Sequence, residues 1–108
     1  MRVDKLWGHE DILTNGSYCM KILTMQTGFQ SSLHYHKEKH ETFLVVEGVC
    51  DMEVGFSIHR FTRGEYQVIP PGVQHRFRAI NERCVVVECS THHDDADVIR
   101  LEESRRIE

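Results

Sequence analysis

Side chains that can bind metal crowd into the stretch SSLHYHKEKHETFLVVEG, Ser31 to Gly48, among them His34, His36, His40 and Glu41. In an extended chain, residues two apart point to the same face. If Ser32–His36 is extended, His34 and His36 project together. Glu41 opens an apolar run, and its parity groups it with Phe43 and Val45. Far along the chain, His75 shares parity with Phe77. Three imidazoles and one carboxylate can thus converge inside a barrel on one divalent transition metal. Such donors suit iron, manganese, nickel, zinc or cobalt and select none of them. His40 precedes Glu41 and faces the other way. Glu38 falls in the Lys37-Glu38-Lys39 loop, which is expected to be solvated. A lone H-x-H pair is weak evidence, since surface histidines are common, so the elements around it must carry the argument.

Those elements read as strands throughout. Cys19–Thr27 is rich in branched and long apolar residues and ends at Gly28. Thr42–Gly48 and Val49–Gly55 read as strands that meet at a tight turn. Phe56–Gly64 alternates apolar and polar residues, the pattern of a half-buried strand. Tyr66–Gly72 is a strand stopped by two prolines, which cannot donate to a ladder. His75–Ile80 and Cys84–Thr91 follow. Short strands separated by glycine turns predict an all-β sandwich or barrel. The acidic tail from His92 to Glu108 is expected to form a short helix or an arm on the barrel.

At 108 residues the chain is expected to form one domain. Apolar residues at 40% and charged ones at 28% fit a soluble globular protein. A net charge of −4 argues against nucleic acid and anionic membranes as partners. No stretch is long enough to span a membrane, and the charged start MRVDKLWGHE is not expected to act as a signal peptide. Cys19, Cys50, Cys84 and Cys89 form no C-x-x-C pair, which excludes a zinc ribbon or a thioredoxin motif. Free thiols point to a reducing, cytoplasmic setting.

Two motifs name a family. The first is G-x5-H-x-H-x4-E-x6-G, from Gly28 through His34, His36 and Glu41 to Gly48. The second is G-x5-P-x-G-x2-H, from Gly64 through Pro70 and Gly72 to His75. Together they resemble the two motifs of the cupin superfamily, with Val49 to Arg63 as the short segment between them. The second motif usually ends in asparagine, where this chain has Ala79. The resemblance implies a cupin barrel, a double-stranded β-helix or jelly roll of two antiparallel sheets. It implies a single domain over residues 1–108, with the barrel roughly at 18–91 and both terminal arms packed on it. It places His34, His36, Glu41 and His75 on the usual metal positions.

The resemblance narrows to the type II phosphomannose isomerase cupins. It rests on Lys5-Leu6-Trp7-Gly8, on Lys21 to Gly28, on Ser32-Leu33, Glu41 and the PPGVQH run, and on Asp97 to Leu101. That family generally has glutamine at the place of His34. The implied activity is a metal-dependent, isomerase-like reaction on a sugar or sugar phosphate, with the metal as Lewis acid. The same donor set also suits an iron-dependent dioxygenase, or a non-catalytic cupin that binds or senses a sugar. Lys21 and Glu88 sit in otherwise apolar strands. Facing inward they need a partner or a role, and facing outward they are solvated. Phe43 and Phe77 line the pocket or pack the core. Arg76 and Arg78 alternate with His75 and Phe77 and are expected to face outward. Small cupins usually pair, and the outward residues Leu44, Val46, Val85 and Val87 predict a homodimer.

Overall fold

A computed structural model describes all 108 residues. Its strands are β1 (Arg2–Lys5), β2 (Gly8–Asn15), β3 (Tyr18–Met25), β4 (Phe29–Gln30), β5 (Leu33–His36), β6 (Glu41–Glu47) and β7 (Cys50–Val54). There follow β8 (Ser57–Phe61), β9 (Tyr66–Ile69), β10 (His75–Ala79), β11 (Cys84–Thr91), β12 (Val98–Glu102) and β13 (Arg105–Arg106), with one 3-10 turn at Asp95–Asp97. No helix is long and apolar enough to cross a membrane. Two antiparallel sheets face each other. The first runs β1-β2-β3-β11-β6-β9; in the second, β10 lies between β7 and the broken strand β4–β5, with β8 at one edge and β12 and β13 at the other.

The terminal segments add strands to both sheets. β1 and β2 extend the first sheet beside β3, and β12 and β13 extend the second beside β5 and β4. The turn at Gly48 differs from expectation. It makes no hairpin: β6 pairs with β11 and β9, whereas β7 pairs with β10 and β8. The chain switches sheets there. Gly48 has φ +76°, and a Cβ on it would collide with the carbonyl oxygen of Arg83. Strand β8, expected to be half-buried, is an edge strand whose side chains are mostly exposed.

The inward face of four strands explains where the site lies. Reading along each, Met25-Leu23-Lys21, Cys84-Val86-Glu88, Val45-Phe43-Glu41 and Ala79-Phe77-His75 all pass from apolar to polar. Their apolar ends build a core with Trp7, Cys50, Met52 and Ile69. Their polar ends therefore open a cavity at the other end of the barrel. Phe43 and Phe77, with ring centroids 4.5 Å apart, form the boundary and belong to both. The outward faces follow the opposite parity. Arg76 points away from the cavity as expected, yet Glu102 of β12 and Glu53 of β7 cover it and it is buried.

Candidate metal centre and cavity

β5 delivers His34 and His36, β10 delivers His75, and the first residue of β6 delivers Glu41. Antiparallel pairing sets His75 opposite His34. The Pro70-Pro71-Gly72 corner steers this approach, because the Gly72 N–H donates to the His36 carbonyl at 2.7 Å. One nitrogen from each of the three histidines lies within 4.8 Å of the others, an arrangement that can hold a metal ion.

The hydrogen bonds fix two of the rings. His34 Nδ1 donates to the Ser32 carbonyl and His75 Nδ1 to the Val73 carbonyl, each at 3.0 Å. A carbonyl only accepts, so the proton of each neutral ring sits on Nδ1 and the Nε2 lone pair is free. His75 Nε2 then lies 3.1 Å from Glu41 Oε2, and both atoms are buried without a hydrogen-bond partner. Two lone pairs facing each other at that distance repel unless a cation or a proton lies between them. Glu41 Oε1 is 3.3 Å from His36 Nε2, again without a hydrogen bond. The donor set therefore fits a divalent cation.

Electrostatics agree. Burial, then the neighbouring His75 and His36, lowers His34 to about 3, so its ring stays neutral. Burial pushes the Glu41 carboxyl up, but a proton shared in hydrogen bonds with His36 and His75 and the charge of Lys39 outweigh it. Its net shift is well below the usual carboxylate range, and it remains a carboxylate.

Lys21, Phe43, Phe77 and Glu88 all line the same cavity, which has a volume of about 140 Å3. Lys21 and Glu88 are buried and inward, which excludes their outer-face alternative. His40 is exposed, and its backbone N–H donates to Thr91 Oγ1. Glu38 is exposed too, but the loop that holds it is not solvated throughout. Lys39, in the same loop, is buried and turns inward. Its ammonium meets Glu88 Oε2 at 2.6 Å, His93 Nδ1 at 2.9 Å and Glu41 Oε1 at 3.2 Å. Burial works against its charge, but Glu88 and Glu41 outweigh it and raise its pKa. Asp97 holds this loop in place, its carboxylate accepting from the backbone N–H groups of Glu38 and Lys39 at 3.0 and 3.1 Å.

Among the cavity residues that strand parity does not find are Lys39, His93, Glu10 and Trp7. Lys39 belongs to a loop without periodicity, and His93 follows the end of β11. Trp7 was signalled by its place in Lys5-Leu6-Trp7-Gly8. It is buried under β3, beside Gly8, whose φ of +145° and contact with the Thr24 carbonyl leave no room for a side chain.

The fold and this donor set define a cupin, and the chain belongs to that family: the cupin domain profile matches residues 21–90. The chain is 25% identical over 107 residues to the xanthan biosynthesis protein XanB of Xanthomonas campestris, covering 95% of this chain and 23% of that protein. It thus spans about a quarter of the length of the curated relatives it matches. Among solved structures, KdgF from Halomonas sp. superposes with a TM-score of 0.75 at 18% identity, over 82% of this chain and 81% of that one. The capsular polysaccharide assembling protein CapF from Staphylococcus aureus gives a TM-score of 0.80 at 20% identity, over 94% of this chain and 34% of that one. At these identities the structural likeness establishes the fold alone.

Proposed function

We propose that the protein is a metal-binding cupin that acts on a sugar or sugar phosphate in an isomerase-like reaction, with His34, His36, Glu41 and His75 holding the metal. The observation that carries this reading is the set of unpartnered lone pairs of His75 and Glu41 converging beside a polar cavity. The kinship with a xanthan biosynthesis protein supports a carbohydrate ligand. A bound divalent ion supplies Lewis acidity to the oxygens of that ligand. Phe43, Phe77 and Trp7 give it an apolar wall. Glu88 supplies the proton acceptor: Lys39 and Ser90 both donate to its Oε2, leaving Oε1 free for a proton moved between adjacent carbons. Lys39 keeps Glu88 and Glu41 oriented and apart.

Three buried cysteines, all free, favour a reducing cytoplasmic setting. A homodimer is proposed through the outer face of the first sheet. There the paired rows Ile22-Val87-Leu44-Tyr66 and Met20-Cys89-Thr42-Val68 carry no charge.

The test is elemental analysis of protein purified without an affinity tag, followed by binding and turnover assays with aldose, ketose and sugar-phosphate panels. About one transition-metal ion per chain and interconversion of an aldose–ketose pair are expected. Metal-free protein that cannot be loaded would overturn the reading.

A further inference from the structure

Lys21 and Lys39 enter the same cavity in different states. The ammonium of Lys39 has acceptors for all its protons: Glu88, His93 and Glu41. That of Lys21, whose side chain is only 5% exposed, makes no hydrogen bond to the protein. Its nearest carboxylate oxygen is Glu10 Oε1 at 3.6 Å, and Lys5 shares that oxygen at 4.0 Å. An ammonium with three donors is costly to bury without acceptors. The side of Lys21 not taken by Glu10 is cavity.

The charge balance points the same way. The cavity is lined by the cations Lys5, Lys21, Lys39 and Arg100. The carboxylates of Glu10, Glu41, Glu88 and Asp95 offset them one for one. A divalent ion on His34, His36, Glu41 and His75 then leaves an excess of two positive charges. A ligand with an anionic group removes that excess, and of the three cavity cations without a hydrogen-bond acceptor, Lys5, Lys21 and Arg100, Lys21 is the buried one. The antiparallel register sets Lys21 opposite Glu88, so an anion bound there sits beside the proposed proton acceptor.

We propose that Lys21 anchors an anionic group, a carboxylate or a phosphate, on the ligand of this cavity, so that the protein takes an acidic sugar in preference to a neutral one. The inference rests on the carbohydrate reading above and narrows its substrate class.

Calorimetric titration of cobalt(II)-loaded protein tests it with mannose, mannuronate and mannose 6-phosphate, alongside glycolate and inorganic phosphate. Wild type is expected to bind mannuronate or mannose 6-phosphate at least about tenfold more tightly than mannose, as one charge-assisted contact allows. Which of the two wins tells carboxylate from phosphate. Lys21→Met should abolish the preference while cobalt content stays at the wild-type level, and Lys21→Arg should retain it. Lys21→Gln, which keeps hydrogen-bonding capacity without charge, serves in place of a methionine variant that does not fold. Equal affinity for neutral and acidic sugars in wild type overturns the proposal but leaves the carbohydrate reading intact. So does a preference that survives in Lys21→Met, which would put the anion on the metal. Glycolate or phosphate binding that depends on Lys21, with no sugar bound, supports the anion anchor and overturns the carbohydrate reading. No binding of any of the five overturns both.

Discussion

His34 keeps its ring neutral down to about pH 3, whereas an unfolded chain takes up that proton near the ordinary value of 6.5. Between those values the unfolded state binds more protons, so stability falls as pH falls. Glu41, with a depressed pKa, acts in the same direction below its ordinary value of 4.5. Metal-free protein should therefore lose up to ~1.4 kcal/mol per pH unit on account of His34 as pH drops from about 6 to 5. Urea midpoints measured across that range should show a shallower slope for His34→Gln. Lys39 has a larger structural role than its place between exposed Glu38 and His40 suggests. Lys39→Met would leave the Glu41 and Glu88 carboxylates buried without their common cation, at a cost of roughly 3–5 kcal/mol. Chemical denaturation should register that loss, and Glu88→Gln in the same chain should recover part of it. The convergence of His34, His36, Glu41 and His75 was legible because strand alternation and two spaced motifs act on them together. Lys39 was not, because the turn of its side chain depends on Asp97, 58 residues away.

At the scale of elements, the strands were readable and their pairing was not. Alternation marks which residues share a face, but it does not say which neighbour a strand takes. Gly48 marks a turn in either case. The difference between a hairpin and a change of sheet lies in contacts made by Arg83, at the far end of the sequence interval that holds β7 to β10. Likewise, nothing local in Gly8–Asn15 says that it extends a sheet beside β3. The observed geometry predicts that Gly48→Ala is destabilising by more than ~1–2 kcal/mol. The left-handed backbone alone accounts for that much, and the Arg83 carbonyl must also move. Gly16→Ala, where nothing lies within 4 Å of the added methyl and no positive φ occurs, should leave stability within ~0.5 kcal/mol of wild type. Equal melting temperatures for the two variants would show that the crossover does not need glycine.

For the whole molecule, the two sheets meet at the proposed metal centre. Three of its donors come from the second sheet, on β5 and β10, and Glu41 comes from β6 of the first. A cation held by all four ties the sheets together at the cavity end, where the apolar core does not reach. An ion that binds only the folded chain raises stability by mass action, ~2.7 kcal/mol at a hundredfold excess over its dissociation constant. Adding cobalt(II) or zinc(II) to chelator-treated protein should therefore raise the melting temperature, and the rise should shrink as pH falls and protons compete for the imidazoles. His75→Ala should abolish both the rise and the bound metal. Glu41→Gln removes the one negative charge among the donors and should weaken binding at least tenfold. His40→Ala should change neither, because His40 is exposed on the loop beside Thr91. Loss of metal from the His40 variant with retention in the Glu41 variant would mean that the carboxylate beside the three histidines serves the lysine network and not the cation.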